Sequence, residues 1–126
     1  MIENWIVSKL DTMAALNHQV YPPSTPIGGA APPFAVYTRE NSSLVVDLSG
    51  GPVLWTDRVK IVLFDDDADR LYATAAEVEK LMTVTQEDGG DFYIFSARAQ
   101  QPEPDGMDLS LELLARPVMV TVRYWR

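Results

Sequence analysis

The chain has 126 residues, 47% of them hydrophobic and 22% charged, which is near the commonest domain size, so one domain spanning residues 1–126 is expected. It contains no cysteine, which removes disulfides, thiolate metal sites and thiol nucleophiles together. Ten Lys and Arg against eighteen Asp and Glu leave a formal charge of −8, the wrong sign for gripping a phosphate backbone, so no specific nucleic-acid binding is expected. No apolar run approaches the roughly 20 residues of a bilayer span, and Met1, Ile2, Glu3 and Asn4 supply no basic leader. The expectation is a chain that neither spans a membrane nor is exported.

Ile2, Trp5, Ile6, Leu10, Met13 and Ala14 recur at helical steps and predict an amphipathic helix over residues 2–16, stopped before Tyr21-Pro22-Pro23. Residues 20–33 hold five of the nine prolines and predict a long irregular segment, stiff enough to act as an arm toward a neighbouring chain. Aromatic and β-branched residues at 34–40 predict a strand ending at Asn41-Ser42-Ser43, and 44–48 a second extended stretch ending at the turn residues Ser49-Gly50-Gly51-Pro52. A longer strand follows at 55–64, with Val59, Ile61 and Leu63 on one face and Arg58, Lys60 and Val62 on the other.

From Ala68 the period lengthens: Leu71, Ala75, Val78 and Leu81 or Met82 line one face of a second helix, Glu77 and Glu79 lie on its polar side, and it ends before Thr83-Val84-Thr85. A polar loop is predicted at 85–91, a strand at 92–98 and another loop at 100–106. In the tail, Val118, Val120, Val122 and Tyr124 alternate with Met119, Thr121, Arg123 and Trp125, so a final strand is predicted, beginning at Pro117 because proline cannot join a ladder as donor. Residues 109–115 read as a short strand or turn. The order predicts an α+β fold, a largely antiparallel sheet with two helices packed on one face.

Few residues suggest chemistry. Asp65, Asp66, Asp67 and Asp69 are carboxylates that a hard cation would accept, but they lack calcium-loop spacing and are expected to cap the second helix and stand as solvated charge. His18, the only histidine, follows the first helix with no partner pattern for zinc or for a nucleophile pair, which predicts a structural role. Gly28-Gly29, Gly50-Gly51 and Gly89-Gly90 do not form a phosphate loop. Of the strand aromatics Tyr37, Trp55, Phe64, Tyr93, Phe95, Tyr124 and Trp125, most are expected in the core or as cross-strand partners, with Trp125 either docked or held by a partner. No catalytic, cofactor-binding or metal-binding residue is assigned, no cofactor is expected, and the chain is not expected to be an enzyme.

Gln19-Val20-Tyr21-Pro22-Pro23-Ser24-Thr25-Pro26, followed by Pro32-Pro33-Phe34-Ala35-Val36-Tyr37, resembles the tail-completion or tail-terminator proteins of long-tailed bacteriophages. The likeness continues through Leu48-Ser49-Gly50, the strand Arg58-Val59-Lys60-Ile61-Val62-Leu63-Phe64, the helix start Ala68-Asp69 and the final aromatic strand, and departs at the more apolar residues 109–115. The resemblance implies a ring, usually a homo-hexamer, that caps the tail tube and offers a docking face to the head–tail connector protein. Its partners would be further copies of itself, the tail tube protein and the connector, at the head-proximal end of the virion tail, after assembly in the host cytoplasm. The Pro-rich segment and the loops at 85–91 and 100–106 would be contact elements, and acidic residues lining the lumen would repel passing DNA. The alternative is a small monomeric or dimeric ligand-binding or regulatory α+β domain.

Overall fold

The alternating segment expected at 55–64 is strand β3 (Leu54–Asp65), in the middle of the sheet. The computed structural model describes residues 2–22, 31–45, 54–90, 92–101, 106–108 and 113–125. In chain order these form α1 (Ile2–Leu10), a 3-10 turn (Ala14–Leu16), β1 (Val20–Tyr21), β2 (Phe34–Val45), β3, α2 (Ala68–Leu81), β4 (Val84–Asp88), β5 (Tyr93–Gln100), β6 (Gly106–Asp108) and β7 (Leu113–Trp125). The sheet order is β1-β2-β3-β7-β5-β4, with β6 pairing to β7 where β5 has stopped. Every pairing is antiparallel except that of β1 with β2. The fold is α+β, as the alternation and helical periods predicted.

Period-two alternation decides the core. Val59, Ile61 and Leu63 of β3, Val118, Val120 and Val122 of β7, and Ile94, Ala97 and Ala99 of β5 share one sheet face. Onto that face α2 places Leu71, Ala75 and Val78, and α1 places Ile2, Trp5, Ile6 and Leu10. Both helices therefore bury their apolar stripes against the same sheet face. Asp67 caps α2 by accepting the Arg70 amide at 3.1 Å, which is the role its position before the helix predicts.

Several boundaries differ from the sequence expectation. The first helix stops at Leu10 rather than Leu16: Thr12 and Met13 donate to carbonyls three residues back, and the Thr12 hydroxyl takes the Lys9 carbonyl at 2.6 Å. Met13 and Leu16 still reach the core, so the hydrophobic period outlasts the helix that carried it. Within the segment expected to be wholly irregular, Val20 and Tyr21 pair with Ala35 and Val36, while the Pro-rich residues 23–30 proposed as an arm lie outside the described residues. The polar cluster Asn41-Ser42-Ser43 does not end β2. A bulge between Arg39 and Asn41 lets the strand continue along its long partner β3. Residues 46–48 of the second extended stretch, and the turn at 49–52, lie outside the described residues.

The loop expected at 85–91 is strand β4 as far as Asp88, followed by Gly89 and Gly90, while Asp91 lies outside the described residues. Gly90 has φ +88 and its amide is held by the Asp88 carboxylate at 2.9 Å, a backbone state that suits glycine. β4 is polar because it is an edge strand with much of its length in water, so its composition imitates a loop. The final strand begins at Leu113, not Pro117. Pro117 lies inside a central strand opposite Val62, but its other side falls between the β6 partners, ending at Ala115, and the β5 partners, starting at Met119. Residues 102–105 and 109–112 lie outside the described residues.

Ile61, fully buried in the centre of β3, tests this core. Ile61→Ala is expected to lower unfolding free energy by about 2–5 kcal/mol, read from urea titration as a lower midpoint at unchanged slope.

Candidate functional site

Two buried carboxylates stand at opposite ends of the core face of β3. Asp65 is fully buried, and its Oδ2 and Oδ1 accept from Arg70 Nε at 2.7 Å and Arg70 Nη2 at 2.5 Å. The amides of Asp66 and Asp67 also donate to Asp65 Oδ1, at 2.7 and 3.2 Å. Burial alone would raise this carboxyl, but the Arg70 guanidinium and the amide of Asp67 outweigh it and hold Asp65 below the ordinary carboxylate range. Asp65 in turn pushes the half-exposed Arg70 upward.

At the other end, Asp57 is also fully buried. It accepts the Tyr124 hydroxyl at 2.7 Å and a short hydrogen bond from the Ser42 hydroxyl, and Arg39 lies 3.8 Å away. Arg39 also meets Glu3 of α1 at 3.0 Å. The sequence reading missed Asp57. The available signal was its odd-numbered place in β3, one step before Val59 on the core-facing register.

These groups are saturated by fixed partners, which suits holding elements together rather than moving protons or metals. Of the aspartates weighed as a cation site, Asp65 turns inward to Arg70, Asp66 lies 2.9 Å from the same guanidinium, Asp67 caps α2 and Asp69 is exposed. No group of three or more metal-ligating side chains occurs among the described residues. His18 is exposed, with left-handed φ 61, and lies 3.8 Å from Asp11, at the surface rather than in the core. Gly28-Gly29 and Gly50-Gly51 lie outside the described residues.

A cleft of about 310 Å³ lies between α1 and the β4–β5 turn, lined by Trp5, Lys9, Asp88, Gly89 and Phe92 among others. Its floor is braced by Glu87, which accepts the Trp5 indole N–H at 2.7 Å and meets Lys9 at 2.5 Å.

The sheet face away from the helices is different. Tyr93 and Trp125 stack at 5.0 Å, and Phe95, at a bulge in β5, leans on Trp125 at 5.8 Å while remaining 43% exposed. Trp125 is thus docked against its own chain. Beyond this aromatic end, Arg58, Lys60, Arg98 and Arg123 project from three adjacent strands. The sequence displayed Arg58 and Lys60 on one face of β3, but only the pairing of β5, β7 and β3 brings all four together.

No family model matches the chain, and no curated protein matches it. Among solved structures, it is similar to a chain of the virion of a native gene transfer agent particle. The TM-score is 0.75 at 13% identity, over 96% of this chain and 92% of that one. This fold occurs in a virion. At that identity the likeness is one of fold, extending over nearly the whole of both chains.

The Asp65 pair sets a pH dependence. A carboxyl held low in the folded state contributes stability above its ordinary value near 3.8, and that contribution is lost as pH falls through the folded value. Asp65→Asn is expected to cost about 1–3 kcal/mol at pH 7, the range for disrupting a buried hydrogen-bonded polar group. Thermal melts of the variant should fall less between pH 7 and pH 3 than those of the wild type.

Proposed function

We propose that this chain is a structural protein of a phage-type virion that closes the tail tube as a ring, a homo-hexamer, and joins the tube to the head–tail connector. The observation that carries this reading is the near full-length likeness of its fold to a chain of a gene transfer agent virion. The resemblance of residues 19–26, 32–37 and 58–64 to tail-terminator proteins narrows the role within a virion.

In this role the protein works by shape. A subunit bound to the last tube ring covers the edges to which a further tube subunit would add, and its opposite surface receives the connector. Cyclic assembly requires two different patches on each subunit, and the described surface carries two unlike faces, both helices on one side of the sheet and a row of cations on the other. The chain acts at the head-proximal end of the tail and is assembled there in the host cytoplasm, without catalysis or cofactor.

Particles assembled without the protein are expected to carry overlong tubes and unattached heads under the electron microscope, and adding the purified chain should restore tube length. Tubes of normal length, joined to heads in its absence, would overturn the reading. The ligand-domain alternative predicts instead a monomer or dimer in native mass spectrometry with no affinity for tube ends.

A further inference from the structure

We infer that the cationic part of the sheet face on which neither described helix packs is the receiving half of a contact between copies of this chain, and that the exposed ridge of α2 in a second copy occupies it. The inference deepens the ring reading and rests on it.

Three rows of residues cross the open face. Thr56, Arg123 and Ser96 form one, Arg58, Thr121 and Arg98 the next, and Lys60, Met119 and Gln100 the third. Across β3, β7 and β5 these rows contain four cations and no carboxylate, in a chain whose net charge is −8, and they continue into β2 beside the bulge that carries the exposed Glu40. None of the four has an ion-pair partner among the described residues, whereas Lys9, Arg39 and Arg70 do. Arg98 and Arg123 also edge a groove of about 280 Å³ with the hydroxyls of Ser96 and Thr121. Guanidinium groups without an ion-pair partner among the described residues, beside hydroxyl groups, suit carboxylates arriving from outside.

The same chain carries the matching surface on its other side. The exposed ridge of α2 runs through Asp69, Ala73 and Glu77, with Ala76 beside it, the half-exposed Tyr72 along one flank and Lys80 at its C-terminal end. Asp69 and Glu77 stand eight residues apart on one helix face, a rise of about 12 Å. Arg58 and Arg98 stand two strand spacings apart in one row, about 10 Å. The small side chains of Ala73 and Ala76 allow the helix to approach closely enough for both acids to reach the guanidiniums. Sheet face to helix face is a head-to-tail contact, the kind that closes into a ring. A polyanion such as duplex DNA is the competing occupant. The acid ridge on the same molecule favours a second copy.

The test reverses charges on the full-length chain and measures association by native mass spectrometry and sedimentation. Arg58→Glu with Arg98→Glu, or Asp69→Lys with Glu77→Lys, should each weaken association by about tenfold or more. The four substitutions combined in one chain should restore it. Because these side chains are exposed, melting curves should stay close to wild type, and Arg58→Gln with Arg98→Gln gives a milder variant of the same loss. A ring that survives either reversal, or a fourfold variant that stays dissociated, overturns this contact while leaving the tail-closing role intact. A chain that never self-associates, even on tube ends, overturns both. Duplex DNA binding that is lost in the Arg58 and Arg98 variants, with association unchanged, assigns the face to a polyanion and overturns the contact.

Discussion

The ladder between β3 and β7 is the constraint on which the rest of the molecule depends. It pairs every residue from Trp55 to Asp65 with one from Tyr124 to Leu114, without a slip. In an antiparallel ladder a one-residue shift of β3 against β7 would turn β3 over relative to its partner, sending Val59, Ile61 and Leu63 into water and Arg58 and Lys60 into the core. The energetic difference between those registers is several buried aliphatic side chains, each worth about 1.5–3 kcal/mol, plus the cost of burying cations. Register and the two-faced character of the protein are therefore one fact.

Buried carboxylates reinforce that ladder at both ends. Asp57 and Asp65 lie eight residues apart on the same face of β3, about 27 Å along an extended strand. Each is met by an arginine from another element, Arg39 of β2 at one end and Arg70 of α2 at the other. Arg39 continues to Glu3, so α1 is tied in as well. Removing either acid would leave groups without their intended partners, whereas the apolar contacts between them have no such directionality. The apolar middle supplies adhesion and the charged ends fix the placement of both helices.

Among the described residues the helices cover one side of the sheet, and the other side, where Phe34 and Phe64 are buried at one end, is left to be explained. In β3 and β7 that side carries Arg58, Lys60 and Arg123 beside Val62 and Met119, a mixture unlike a core and more cationic than the chain as a whole. The acidic composition that argues against a nucleic-acid grip hides this local reversal of sign, because net charge averages over faces that never meet the same partner.

Sequence by itself determined the fold class, both helical faces, the alternation in β3 and β7 and the capping role before α2, because each rests on neighbours within a few residues. It also placed Arg58 and Lys60 opposite Val59 and Ile61. Only the tertiary structure decided which strands are neighbours, and so which cations share a surface, because Arg58, Thr121 and Arg98 are joined by pairings across more than twenty residues of chain. The same reason explains the mistaken boundaries. β4 and the Asn41-Ser42-Ser43 stretch of β2 are strands because a partner strand runs alongside them, and Pro117 is tolerated in a central strand because its neighbours on one side happen to end there. Asp57, a lone acid in a strand, becomes an anchor only when Tyr124, distant in sequence, closes over it.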